Sequence, residues 1–276
     1  IRGGISFISK RFAVANNPYL GELFNPQQES SYIIYLDCVN LYAYALAMKL
    51  PLSGFRFLEE NEIKHLDFSA MDTESDIGYL VEADLGYPKE IHEKTAPYPY
   101  AVEKIVIKDS QLSPYCQRLK TKLNKNSIQS EKLVGTCYDK ENYVLHFKLL
   151  KYFLNNGMYI KKIRKVLKFK QSAWLKPYID SNTKNRQESK TQLDATYWKT
   201  RNCALYGKLL ETKKDRIDVI LVNTNSHFDK LVAKPNFCGI KQLDENFAAI
   251  SMRKLNVKKD ACLSAGPAVL EYYKHF

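Results

Sequence analysis

Asp37, Arg186, Lys190 and Lys199 are the residues of this 276-residue chain whose types and placement could do chemistry. Asp37 ends a continuous β-branched and aromatic run, Tyr32-Ile33-Ile34-Tyr35-Leu36, which predicts a buried strand with a carboxylate at its tip. Asn40 follows and can cap a helix over Leu41 to Met48, ended by Pro51 and Gly54. A carboxylate, free helix-start amides behind it and distant helical cations are the parts of a nucleotidyl-transfer site. Joining a hydroxyl to a triphosphate's α-phosphate needs carboxylates to hold two divalent ions, and cations to neutralise the departing pyrophosphate. The helix-start amides would meet triphosphate oxygens. An aspartate at this point also fits a turn or a cap, and spacing alone does not choose.

Composition narrows the setting. With 45% hydrophobic and 12% aromatic residues the chain can bury a core, which excludes a disordered polymer, and no long uncharged apolar run offers a membrane span. Forty-two Lys plus Arg against thirty Asp plus Glu leave a net charge of +12, which suits a polyanionic partner and equally suits plain solubility. Cys38, Cys116, Cys137, Cys203, Cys238 and Cys262 form no C-x-x-C pair, so they read as reduced intracellular thiols. The five histidines are isolated as well, leaving carboxylates to hold any metal, as magnesium prefers. The chain starts at Ile1 and stops at Phe276 inside an apolar-periodic run, so both ends read as cut from something longer.

The elements that must position the four residues are legible in part. Residues 59 to 76 are acidic and read as a surface segment, and Tyr79 to Leu85 alternate with period two, a half-buried strand closed by Gly86 and Pro88. Pro88 to Ser130 are proline-rich and lysine-rich, a loop-rich insertion. Residues 141 to 155 carry apolar positions that predict a helix ended near Asn156-Gly157. From Lys161 to Lys170 an extended strand sets Lys162, Arg164, Lys168 and Lys170 on one face and Ile163, Leu167 and Phe169 on the other; the basic face suits a nucleic-acid backbone or plain solvent. Ser181 and Asn182 can cap a helix carrying Arg186 and Lys190. A second periodic stretch covers Trp198 to Leu210 and sets Lys199, Cys203 and Tyr206 on one face. Lys190 and Lys199 point opposite ways on one straight helix, so a helical hairpin turning around Asp194-Ala195-Thr196 is expected. Asp218 to Val222 read as a strand, and 223 to 264 as mixed and loop-rich.

The stretch Tyr35-Leu36-Asp37-Cys38-Val39-Asn40-Leu41-Tyr42 resembles motif A, D-x-x-S/N-L-Y, of family B DNA polymerases, in particular the protein-primed branch of phages, linear plasmids, adenoviruses and Maverick/Polinton elements. The resemblance implies that Asp37 is the catalytic residue binding both metal ions, two Mg2+ in the complete enzyme. It also implies that the Cys38 carbonyl ligates one of them and that Tyr42 excludes a ribose 2′-hydroxyl by clash. Ile1-Arg2-Gly3-Gly4 resembles the Y-x-G-G element that touches template, which implies DNA contacts at Arg2, Gly3 and Gly4. Lys161 to Asp180, with Lys162 and Arg164, is similar to the stretch leading into the fingers, and Asp76 to Glu103 to the region of the terminal-protein-contacting insertion. Motif B, K-x-x-x-N-S-x-Y-G, falls on Lys199 to Gly207. There Lys199 would contact the incoming triphosphate with Arg186 and Lys190, Tyr206 would pack on the nascent base pair, and Gly207 would lie against DNA.

Cys203 and Ala204 replace the Asn-Ser pair of motif B, with Asn202 one position away, and Ala195 stands where relatives often carry lysine. Motif C, the D-T-D-S turn that supplies the second metal carboxylate, is not in these residues. Asp84, Asp218 and Glu82 lie on strands without that signature. The expected fold is α+β: a right-hand polymerase palm sheet, helical-hairpin fingers and an inserted loop-rich subdomain. The expected division is 1–28 as a junction to an exonuclease domain, 29–62 as palm with motif A, 63–138 as insertion, 139–180 as palm, 181–211 as fingers, and 212–276 as a second palm part ending before motif C. The expected partners are DNA template and primer, deoxynucleoside triphosphates and a priming terminal protein, with no membrane. The chain alone is expected to be inactive for want of the second carboxylate. A non-catalytic nucleic-acid-binding remnant, and a basic domain without polymerase ancestry, are the competing readings.

Overall fold

A computed structural model describes residues 3, 5, 8, 12–38, 40–127, 130–211, 216–256 and 264–273. Its helices are α1 (Leu41–Leu46), α2 (Glu60–Ile63), α3 (His92–Thr95), α4 (Pro114–Lys122), α5 (Phe147–Asn155), α6 (Lys176–Glu188), α7 (Gln192–Leu209), α8 (Asn225–Val232) and α9 (Ala265–Tyr273). Its strands are β1 (Leu50–Phe57), β2 (Ile77–Gly86), β3 (Glu103–Ile105), β4 (Lys132–Val134), β5 (Lys140–His146), β6 (Tyr159–Ser172), β7 (Ile217–Val222), β8 (Phe237–Asp244) and β9 (Phe247–Arg253). The chain is therefore mixed helix and sheet. No described helix is long and apolar enough to cross a membrane.

The central sheet is antiparallel throughout, in the order β1-β6-β2-β5. Its core forms where Val81, Ala83 and Leu85 of β2, Tyr143 and Leu145 of β5 and Val166 of β6 meet Phe147, Leu150 and Phe153 of α5. Between β2 and β5 the described residues make α3, α4 and the strands β3 and β4, which pair as a two-stranded ribbon. A second core gathers Ala43, Ala45 and Leu46 of α1, Leu50, Leu175, Ile179 of α6, and Ala268, Val269 and Tyr272 of α9. The third sheet, β7-β9-β8, closes over α8 through Val222, Leu231, Ile250 and Met252.

α9 is the link between the first two cores. The Tyr272 hydroxyl donates to the Lys49 carbonyl at 2.6 Å, and Glu271 accepts the His146 backbone N–H at 2.6 Å. One turn of helix thus grips the start of β1 and the junction of β5 with α5.

Several expectations are corrected here. Tyr32 to Leu36 form no strand: they run extended with no ladder partner among the described residues, and Tyr35 and Leu36 are 93% and 84% exposed. An apolar run becomes a buried strand only when a neighbour takes its backbone groups and a layer covers its face, and neither lies alongside. Pro51 and Gly54 do not end α1; they sit within edge strand β1, where register shifts absorb them, while α1 stops at Leu46. Residues 141 to 155 are half strand and half helix, because His146 caps α5 by accepting the Lys148 N–H. The stop at Asn156-Gly157 holds, with Gly157 at φ 97°. Residues 223 to 264 contain α8, β8 and β9, more regular structure than a loop-rich reading allows.

Candidate functional site

α1 enters through Asn40, which holds a left-handed conformation (φ 59°, ψ 37°) and makes no side-chain cap; its Oδ1 is buried without a hydrogen-bond partner. The expected capping role is thus corrected: a cap residue holds extended backbone, and Asn40 is left-handed instead. The short helix buries Ala43, Ala45 and Leu46 and carries Tyr42 to the flank of α7. There the Tyr42 and Tyr206 rings lie with centroids 4.6 Å apart at 32°. Burial, then the neighbouring Tyr42, raises the pKa of the Tyr206 phenol. Two tyrosines 164 positions apart in the sequence are brought ring to ring.

The hairpin that presents Tyr206 is set by a buried polar pair. α6 begins at Lys176 with Pro177 in its first turn, so Ser181 and Asn182 lie mid-helix rather than at a cap. Asn182 and Asn202 are 3% and 2% exposed, and Asn182 Nδ2 donates to Asn202 Oδ1 at 2.8 Å. Asn202 Nδ2 in turn reaches Thr183 Oγ1 at 3.5 Å. The chain reverses at 189–191, before the expected 194–196, since Thr191 caps α7 by accepting the Asp194 N–H at 3.1 Å. Lys190 therefore lies in the turn.

This pairing fixes which residues share a level. From the Asn182–Asn202 bond, Arg186 is four residues on along α6 and Lys199 three back along α7, about 6 Å and about 4.5 Å along the respective axes. At about 100° per residue, both project to one flank of the antiparallel pair. Tyr206, seven residues from Lys199, comes round to the same flank about 10 Å further along. Lys199, Arg186, Tyr206 and Tyr42 thus line one side of the hairpin.

Asn202 is committed to α6 and cannot stand in for the Asn-Ser pair that Cys203 and Ala204 replace. Asn202→Ala leaves the buried Asn182 amide unpaired, so it will lower unfolding stability by about 1–3 kcal/mol in urea titrations. Asn202→Ala at wild-type stability would show that the pair does not set the hairpin.

The other sequence candidates are spread out. Asp37 and Cys38 are exposed on the extended segment ahead of Tyr42, and no hydrogen bond or ion pair joins Asp37 to Arg186, Lys190 or Lys199 among the described residues. Gly207 is exposed with open space about it, as is Gly3, while Arg2 and Gly4 lie outside the described residues. Lys162 is exposed on β6. Arg164, also on β6, forks onto Asp84, its Nε and Nη2 each 2.8 Å from a carboxylate oxygen. That guanidinium, with the Asn142 N–H, holds the Asp84 carboxyl below the usual carboxylate range. Asp218 pairs with Lys254 at 3.1 Å and Glu82 faces Lys165 at 3.9 Å, so all three strand carboxylates have cationic neighbours.

The donor set does not compose a magnesium site. No group of three His, Cys, Asp or Glu side chains comes together among the described residues. Asp37 and the Cys38 carbonyl are donors from one segment only. Two-ion chemistry is not assembled by these residues alone.

The fold is a four-stranded antiparallel sheet joined through α9 to a helical hairpin, with a basic and aromatic flank on that hairpin. No family model matches the chain, and neither does any curated protein. Among solved structures it is similar to phi29 DNA polymerase complexed with primer-template DNA (post-translocation binary complex), at 13% identity and TM-score 0.42 over 86% of this chain and 32% of that one. It is also similar to the orthorhombic crystal form of phi29 DNA polymerase, at 11% identity and TM-score 0.46 over 86% of this chain and 33% of that one. The chain spans about a third of the length of these polymerase chains.

Proposed function

We propose that this chain is the palm and fingers part of a protein-primed family B DNA polymerase, used in template-directed deoxynucleotidyl transfer. The observation that carries the reading is the ring contact of Tyr42, from the D-x-x-N-L-Y stretch, with Tyr206, from the motif B stretch. The two motif stretches of the resemblance meet in space at these rings, and Lys199 and Arg186 lie on the same flank of the hairpin about 10 Å further along. Tyr42 would stand beside the sugar C2′, Tyr206 under the nascent pair, and Lys199, Arg186 and Lys190 would meet the triphosphate. Lys162, Gly207 and the Gly-Gly element would follow DNA, and the 63–138 insertion would face a priming terminal protein. Asp37 and Cys38 would give one side of a magnesium site, and a D-T-D-S turn from outside these residues would give the other.

A catalytically inactive nucleic-acid-binding remnant is the second reading, and Cys203-Ala204 favours it, because Asn202 is unavailable as a substitute. Binding of a deoxynucleoside triphosphate to the chain with primer-template separates the two. Lys199→Ala will weaken it about ten-fold, the worth of one hydrogen bond to a charged group. An affinity unchanged in both Lys199→Ala and Arg186→Ala would overturn the polymerase assignment of that flank.

A further inference from the structure

We propose that the opposite flank of the α6–α7 hairpin is a stacking platform for single-stranded nucleic acid, built on Arg201, Tyr178, Tyr197 and Trp198. The Arg201 guanidinium carbon lies 5.6 Å from the Tyr178 ring centroid, 5.8 Å from Tyr197 and 5.4 Å from Trp198. Arg201 Nε also donates to the Tyr178 hydroxyl at 3.3 Å, and the phenol's pKa is lowered by its hydrogen bonds to Asn182 and Arg201. One cation thus orders three aromatic rings drawn from both helices.

The cluster stands apart from the Tyr42–Tyr206 flank. Arg201 is two residues from Lys199, about 200° round the helix, so a base resting on it is not the base that Tyr206 would meet. The buried Asn182–Asn202 pair also joins the two helices, and the Tyr178 hydroxyl reaches it at Asn182. The cluster is open to solvent: Tyr197 is 54% exposed, Tyr178 37%, and Arg201 is exposed. Cation–π contact occupies one face of each ring and leaves the outer face to water.

Charge selects the occupant. From Lys176 to Leu210 the hairpin carries seven Lys or Arg against three Asp or Glu, so an anion is drawn to it. An anionic chain that also offers flat apolar rings is a nucleic acid with unstacked bases. A duplex hides its base faces in its own stack, whereas a single strand presents them to Tyr, Trp and Arg without regard to sequence. The inference rests on the polymerase reading only for its ligand class, and it adds a second contact, to unpaired strand.

The test uses the whole chain and a short fluorescent oligothymidylate, with affinity read by anisotropy and contact by the fluorescence of Trp198 in a Trp174→Phe background. The single strand will quench Trp198, and a duplex of equal length will not. Tyr197→Ala will weaken single-strand binding about five-fold or more, and Tyr197→Phe will restore it. Tyr197 is half exposed, so its truncation leaves the fold intact, which circular dichroism checks. Wild-type affinity in both Tyr197→Ala and Arg201→Ala would overturn the proposal, as would equal quenching by duplex. Lys199→Ala and Arg186→Ala report on the other flank, so loss of triphosphate binding there with wild-type oligothymidylate binding here, or the reverse, shows which assignment fails.

Discussion

Asp37→Asn, placed in a polymerase that carries these residues together with a D-T-D-S turn, will cut primer extension by about 10³-fold, the scale of removing one charged group aimed at a reaction centre. Affinity for primer-template will stay within about two-fold, because the amide keeps the shape and only the charge is lost. The structure makes this substitution unusually clean. Asp37 is exposed on an extended segment, and no ion pair engages it among the described residues, so the fold has no use for its charge. Asp84→Asn is the matched control: it strips Arg164 of a two-pronged partner in the central sheet and will lower stability without that scale of effect on extension. Extension unchanged in Asp37→Asn, with a matching melting temperature, would remove Asp37 from the reaction. Extension by the 276-residue chain alone would overturn the need for a second carboxylate.

The hairpin shows how far sequence reaches. Its existence followed from the opposed directions of Lys190 and Lys199 on a straight helix, and α6 and α7 bear that out. Its turn lies a few residues before the expected 194–196, where Thr191-Gln192-Leu193-Asp194 has the local spacing of a capped helix start. β2, β6 and β7 were legible because alternation or a continuous β-branched run is a property of the strand itself. Tyr32 to Leu36 carried an equally strong signal and are exposed, since burial belongs to the neighbours and not to the run. The β5–α5 boundary was hidden for a related reason: a histidine cap and a buried strand both look like one apolar period. At the site, motif residues named Tyr42 and Tyr206 but not their contact. The Asn182–Asn202 bond that levels Arg186 with Lys199 had no signature, as two asparagines twenty residues apart are ordinary in a polar hairpin.

Acid will destabilise the chain well above the carboxylate range, and His146 is the reason. Its ring is fully buried, with the Phe147 and Tyr272 ring centroids 4.8 Å and 4.9 Å away and Phe169 at 5.9 Å. Nδ1 accepts the Lys148 N–H as the cap of α5, so the neutral ring carries its proton on Nε2. That proton faces the Tyr272 oxygen at 3.3 Å, and the Tyr272 hydroxyl passes its own to the Lys49 carbonyl. Every hydrogen in this relay is placed for an uncharged imidazole. Protonating Nδ1 would set it against a backbone N–H. Burial first, and the Lys148 ammonium second, lower the His146 pKa to about 3, against 6.5 in the unfolded chain. Below pH 6.5 the unfolded state therefore takes up a proton that the folded state refuses, and stability falls as pH drops from 6.5 towards 3. The slope approaches about 1.4 kcal/mol per pH unit and the whole window is on the order of 5 kcal/mol. Glu62 and Glu211, held at about 2 by arginine partners, lose their contribution only below 4.5, so the fall between 6.5 and about 5 belongs to His146. Urea unfolding at several pH values in that upper interval measures it. His146→Asn keeps an acceptor at the α5 cap and removes the titration, so its profile there will be flat, although its stability at neutral pH will be lower for the lost ring packing. An unchanged slope in His146→Asn would place the acid sensitivity elsewhere, and α9 would then hold β1 and α5 together without a proton-dependent knot.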